Sequence, residues 1–354
     1  MPGNQATMHG NARDAWPAGS LAVTNARPVG ARRGIQGVLG VIWLLDAALQ
    51  FQPYMFTRAF ATRVIEPAAA GSPGFVARPV LLAGHLIQHN PVAFDAVFAT
   101  VQLAIGLGLL WRPTVRVALI GSMAWALSIW WLGEGLGQVF TGTASPVTGA
   151  PGAAVLYALI AVLAWPSRAQ VGSVASGSVA SGCVASGSPL GGRWSRLAWL
   201  ALWGSGACFL LLAASRAAGA LRDSIAGGAA GEPAWLASAE RGAATSIGPD
   251  GGAISVTLAV VFAVIALGIL VPAATRPVLV LAVIVAAACW VLGQSFGGIA
   301  TGQATDPNSG LLLILLAATY WPPARSSRRS SRSTAAAMSG PAAMPAAPVV
   351  PPAQ

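Results

Sequence analysis

Lysine is absent from this sequence, and charge of either sign is scarce: 8% of the 354 residues are charged, against 55% hydrophobic. Too little polar surface remains to cover a soluble globule of this length, which excludes that class. A mean hydropathy of +0.67 fits a chain whose solvent is the lipid bilayer. Cysteine is nearly missing too. Cys183, Cys208 and Cys289 form no CxxC pair and no zinc spacing, so a disulfide framework or a dithiol centre has little support. The 20 basic residues are all Arg and fall between apolar runs rather than among aromatics on a polar face, which argues against nucleic acid as a partner. The sequence carries no motif for haem, flavin, an iron-sulfur cluster or a nucleotide, and no catalytic motif. It reads as a non-enzymatic chain with no evident cofactor.

What is present is a series of apolar segments, at about 34–52, 91–110, 115–133, 151–165, 195–213, 252–271, 277–293 and 309–321. Most approach the ~20 residues that a helix needs to cross a bilayer. The fourth and the eighth are short in the same way. The first has no small-residue cleavage site behind it and reads as a retained anchor.

The chain also resembles itself. At an offset of 160, Trp43 falls on Trp203, Gly71 on Gly231, Pro73 on Pro233, Arg116 on Arg276, Trp130 on Trp290, Gly133 on Gly293, and Gly137 on Gly297. A deletion of four then aligns Trp165-Pro166 with Trp321-Pro322. The expected fold is all-α: a polytopic membrane protein of eight transmembrane helices, in two four-helix bundles. Four spans per unit is an even number, so the repeats are parallel.

The expected units are an N-terminal tail at 1–33, a first membrane repeat at 34–166, a flexible Ser/Gly/Ala linker at 167–192, a second repeat at 193–322, and a basic, then Pro/Ala-rich tail at 323–354. Both tails read as disordered. With the N-terminus inside, the inner segments hold 14 Arg against one acid, Asp14, and the outer segments hold six Arg and seven acids. By the positive-inside rule this places both termini and the linker in the cytoplasm and the protein in the cell membrane. The long outer loops contain short amphipathic stretches such as FTRAFATRVI and PGFVARPVLLAGHLIQH.

Two kinds of residue stand out. Gly133 and Gly137, and likewise Gly293 and Gly297, are four apart; on a helix each pair would form a smooth stripe for close helix packing. The TGTASPVTGAP run that follows contains two Pro and cannot be regular helix. Such a run either sits outside the membrane or dips into a cavity.

The second kind is acidic. Asp46 and Asp95 lie within spans and Glu134 at the end of a third, all toward the outer face, with Gln50 one turn beyond Asp46 and Gln102 two turns below Asp95. The second unit has Gly206, Ser255, Gln294 and Phe262 where the first has Asp46, Asp95, Glu134 and Gln102. Intramembrane carboxylates mark functional sites by default. The first three, with Gln50, form the candidate outer polar site, for an ion, proton or small molecule. The alternative is that they pair with Arg58, Arg63 or Arg78 and fix the outer loop. His85 and His89, at i and i+4, are weak metal-ligand candidates without a defined third ligand.

The run VQLAIGLGLLWRPTVRVALIGSMAW, Val101 to Trp125, resembles the DoxX-like family of four-span bacterial membrane proteins, and Val261 to Ala287 is similar to it. The resemblance implies a fused tandem form of a membrane subunit, assembling with other membrane or outer-side proteins in a redox complex. Quinone would then be the cofactor carried in the lipid. Gln102 and Phe262 stand where that family usually carries Glu. The other readings are a small-solute or ion transporter with its site at the outer end of the first bundle, and a membrane enzyme that uses the outer carboxylates and histidines.

Overall fold

The computed structural model describes residues 27–166, 183–217 and 219–323. The expected C-terminal tail, apart from Pro323, and most of the N-terminal tail and linker lie outside the described residues. Among those described, all regular structure is helical. We number the principal helices α1 (Arg27–Leu49), α2 (Gly74–His89), α3 (Pro91–Leu110), α4 (Val115–Leu132), α5 (Ala153–Leu163), α6 (Gly191–Arg216), α7 (Ala220–Gly228), α8 (Ala234–Ile247), α9 (Gly251–Gly268), α10 (Thr275–Leu292) and α11 (Asn308–Thr319). The first seven residues of α1, 27–33, lie inside the expected N-terminal tail.

Five helical runs are long and apolar enough to cross a membrane: Pro91–Leu110, Arg112–Leu132, Gly191–Arg216, Ala234–Gly268 and Thr275–Leu292. They make the chain a multi-pass membrane protein. Helices α5 and α11 are apolar but have only 11 and 12 residues, roughly 17–18 Å at 1.5 Å per residue. They can be short because they meet little lipid. Each is buried along most of its length, and the two pack against each other at the centre.

Local chemistry sets the helix ends. Asn90 caps α3, its side chain accepting from the Ala93 N–H at 3.2 Å, with Pro91 in the first turn, the position where a missing N–H costs nothing. At the other end the Thr114 hydroxyl donates to the Gly108 and Trp111 carbonyls at 2.8 and 3.0 Å. Arg33 of α1 donates to Leu109 O at 2.6 Å and to Leu110 O, and Gln36 donates to Ala164 O at 2.8 Å behind α5. These contacts satisfy carbonyls that a helix C-terminus leaves open.

Arg32, expected only as a positive flank, is buried and donates to Val184 O at 3.3 Å and Gly187 O at 2.8 Å. This corrects the flexible-linker reading for its last ten residues: a 3-10 turn at Ala185–Gly187 is fastened to α1, with Ala185 fully buried, and α6 begins at Gly191.

The glycine-stripe expectation is corrected as well. Helices α4 and α10 end at Leu132 and Leu292, with Gly133 and Gly293 as their C-caps. Gly137 and Gly297 lie beyond, in 3-10 turns at φ +62° and +80°. Gly137, Gly293 and Gly297 sit where chain meets chain, and Gly133 faces the Ile129 carbonyl of its own helix. A Cβ on Gly137 would fall 1.8 Å from Pro151 O, one on Gly297 2.6 Å from Asp306 O, and one on Gly293 2.3 Å from Val147 O. Close helix contacts lie elsewhere: a Cβ on Gly310 of α11 would fall 2.2 Å from Trp290 Cβ of α10, and one on either Gly40 of α1 or Gly106 of α3 would meet the other's carbonyl oxygen at 3.0 Å. Small residues let these backbones approach.

The segments after α4 and α10 reach across the molecule. Pro146 and Val147 pack on Gly206 and Gly293, Asn308 approaches Gly149, Arg216 donates to Gly142 O, and Gln52 donates to Ala304 O at 3.3 Å.

Candidate functional site

Helices α1 to α5 enclose a cavity of about 330 Å³, at the end of the bundle opposite Arg32 and Arg33. Its walls are largely aromatic and aliphatic: Trp43, Phe60, Phe94, Phe98, Trp125 and Tyr157 face it. Leu86 of α2 and Ser128 and Leu132 of α4 line it and are exposed, so it opens sideways between those two helices. Toward the Arg end it is closed by Leu39, Trp43, Leu109, Leu119 and Ile160, all fully buried or nearly so.

One part of this apolar wall is polar. Asp46, Gln50 and Glu134 line the cavity, together with Gln102, Tyr157, Thr305 and Asp306. Asp46 is 1% exposed; its Oδ2 accepts from the Tyr157 hydroxyl, and its Oδ1 has no partner. Gln50 Oε1 and Gln102 Oε1 are buried and unpartnered, as is the Trp125 indole N–H. Glu134 Oε1 accepts from the Ala154 N–H at 3.0 Å, capping α5 from outside that helix, while Oε2 is free. Unpaired buried polar atoms are rare in folded proteins because each costs on the order of 1–3 kcal/mol. Five of the fourteen such atoms among the described residues belong to this one cavity wall.

Asp306 comes from the segment before α11. It accepts from Thr305 Oγ1 at 2.8 Å and from the Asn308 N–H at 2.7 Å, and it lines the same cavity as Asp46 and Glu134. Burial pushes its carboxyl above the usual range, against those two hydrogen bonds. The sequence reading missed Asp306 because it counted among the outer-loop acids, and Tyr157 because a lone Tyr in an apolar helix carries no signal. An acid directly before Pro-Asn at the mouth of a short buried helix was the available clue.

Asp95 lies elsewhere. It is buried on α3 with neither oxygen partnered, and it is not in the cavity wall, where Phe94 and Phe98 occupy its level. Of the three expected carboxylates, Asp46 and Glu134 line the cavity, and the third acid in its wall is Asp306. The alternative pairing with arginine is not what these carboxylates do. Arg58, Arg63 and Arg78 are exposed, and the partners of Asp46 and Glu134 are Tyr157 and Ala154. His85 and His89 are exposed on α2 with their rings edge to face at 4.5 Å, and His89 Nδ1 lies 2.8 Å from His85 O. Among the described residues no three of His, Cys, Asp and Glu are grouped to hold a metal ion.

The second half has the same cap without the charge. Gln294 accepts from the Gly310 N–H at 2.9 Å and donates to Ser309 Oγ at 3.0 Å. Trp130 donates to Pro151 O at 2.7 Å, and Trp290 to Pro307 O at 2.6 Å. At the counterpart of the cavity, however, the Phe262 ring stands 5.0 Å from the Trp203 ring. It lies so close that a Cβ on Gly206 would be 2.7 Å from it, with Pro146 beside it. Comparison with family models, with curated proteins and with solved structures finds no match for the chain.

Proposed function

We propose that this chain is a non-enzymatic integral membrane subunit whose first bundle binds a small molecule and whose second bundle supports it structurally. Its eight spans are α1, α3, α4, α5, α6, α9, α10 and α11, arranged as two copies of one four-helix unit, with both termini in the cytoplasm as the Arg asymmetry demands. A DoxX-like kinship and membership of a redox complex belong to the same proposal. The observation that carries the ligand reading is the contrast at one pair of positions. Gln102 leaves an open cavity with one polar stretch of wall where Phe262 fills the equivalent space. The same backbone therefore tolerates the filled state, and the open state leaves buried polar atoms without partners. Transport fits less well, since the fully buried leucine layer beneath Trp43 leaves the cavity with one end.

The test is Gln102→Phe, which copies the second half. The wild type, extracted in mild detergent and examined by native mass spectrometry, should carry a small-molecule adduct. The variant should accumulate and melt like the wild type without that adduct. The same adduct on a well-folded Gln102→Phe protein would remove the cavity from the account.

A further inference from the structure

Resting on that reading, we infer that the cavity takes an amphipathic organic cation, a protonated primary or secondary amine on a compact aromatic or aliphatic body. The buried wall atoms that lack a partner are acceptors in four of five cases: Asp46 Oδ1, Gln50 Oε1, Gln102 Oε1 and Glu134 Oε2, against one donor, Trp125 Nε1. Acceptors call for a ligand that brings N–H or O–H groups. Asp46, Gln50 and Gln102 are each at least 96% buried, so water does not meet that demand from bulk.

The charge balance points the same way. Three carboxylates, Asp46, Glu134 and Asp306, border the cavity, and no Arg, Lys or His lines it. Burial disfavours the ionised form of carboxyls that border one poorly solvated space, and a positive charge placed among them restores it. Among the described residues Asp46, Glu134 and Asp306 are not grouped closely enough to hold a bare metal ion. Trp43, Trp125, Tyr157 and three Phe form the rest of the wall. Their faces attract cations and accept an apolar body. A quinone offers only acceptors and would leave the same oxygens unpaired. The volume of about 330 Å³ sits near the small end of the ~300–1,000 Å³ typical of ligand pockets, which limits the body to one ring or a short chain. The sideways mouth between α2 and α4 suits a molecule that partitions into lipid.

The experiment measures binding of phenethylamine, 2-phenylethanol and duroquinone to purified full-length protein by isothermal titration calorimetry. The amine and the alcohol share shape and apolar body and differ in charge. The wild type should bind the amine about tenfold or more tighter than the alcohol, the range expected for charge-assisted hydrogen bonds. Glu134→Gln keeps the α5 cap, as Gln294 does for α11, and Asp46→Asn keeps an acceptor for Tyr157. Each should weaken the amine about tenfold and leave the alcohol nearly unchanged, while Gln102→Phe removes both. Equal affinity for amine and alcohol, both lost in Gln102→Phe, would overturn the cation inference and leave the binding cavity standing. Duroquinone binding tighter than the amine would do the same. Amine binding that survives Gln102→Phe would place the cation outside the cavity and overturn the inference. Failure of every probe to bind a protein that also copurifies with no adduct would overturn both.

Discussion

Gly137→Ala should be among the most damaging single-methyl additions in this molecule, although position 137 lies outside every principal helix. Its φ of +62° is not the decisive cost. Leu136 and Gln138 hold φ of 56° on either side with side chains attached, so the left-handed region, worth roughly 1–2 kcal/mol against a non-glycine residue, is already tolerated there. What cannot be tolerated is the contact. The added Cβ would lie 1.8 Å from Pro151 O, 2.2 Å from Pro151 C and 2.8 Å from Gly152 N, all backbone. The segment must move, and with it the acceptor of the Trp130 indole and the start of α5, whose Ala154 N–H binds Glu134. Overpacking of this kind costs about 1–3 kcal/mol and each of the two lost hydrogen bonds about 1 kcal/mol, so the total is about 4–7 kcal/mol with the backbone strain. Gly242 is the control: it is exposed, it lies within α8, and nothing stands within 4 Å of its Cβ position. Gly242→Ala should gain about 0.5–1 kcal/mol from reduced chain entropy. Thermal unfolding in detergent, followed by size-exclusion chromatography, separates the two. A Gly137→Ala protein that melts with Gly242→Ala would refute the close approach on which the fold of this segment rests.

Trp130→Phe and Trp290→Phe should each cost about 1 kcal/mol of stability from one lost hydrogen bond, read as similar falls in melting temperature; a fall in one alone would show that the two contacts do different jobs. Tyr157→Phe leaves both Asp46 oxygens unpaired and should destabilise by about 1–3 kcal/mol, an effect that Asp46→Asn in the same chain should partly reverse. Arg32→Met should loosen the Val184–Gly187 turn and speed elastase cleavage there, with α1 otherwise intact; unchanged cleavage would show that the guanidinium does not hold it. In a Cys-free background, Pro189→Cys should be labelled by an impermeant maleimide only after the cells are opened, and Ser238→Cys in intact cells. The reverse pattern would invert the proposed topology.

Much of the architecture was legible because it depends on a property that sums along the chain. Apolar length and Arg spacing mark α3, α4, α6, α9 and α10 without any knowledge of contacts, and the short α5 and α11 announced themselves by falling below a bilayer's width. What the pattern misjudged depends on partners distant in sequence. A glycine pair spaced at four looks the same whether it lies on a helix or, as at Gly133 and Gly137, just beyond one. The close contact of Gly40 on Gly106 has no internal spacing to read. Asp46, Gln50 and Glu134 could be picked out because an acid or amide near a span is conspicuous. Asp306 could not, because its role comes from a crossing of the segment before α11 into the first half. The contrast of Gln102 with Phe262 was visible as letters, yet only packing shows that one leaves a space and the other fills it.

The most direct measurement is an experimental density map of the purified protein in lipid nanodiscs, at a resolution that shows side chains and bound small molecules. The account predicts non-protein density bounded by Asp46, Gln50, Gln102 and Glu134, and at the equivalent place in the second half only the Phe262 ring against Gly206 and Trp203. A first bundle collapsed onto itself, with Gln102 and Asp46 paired to protein groups and no enclosed space between α1, α3 and α4, would contradict it.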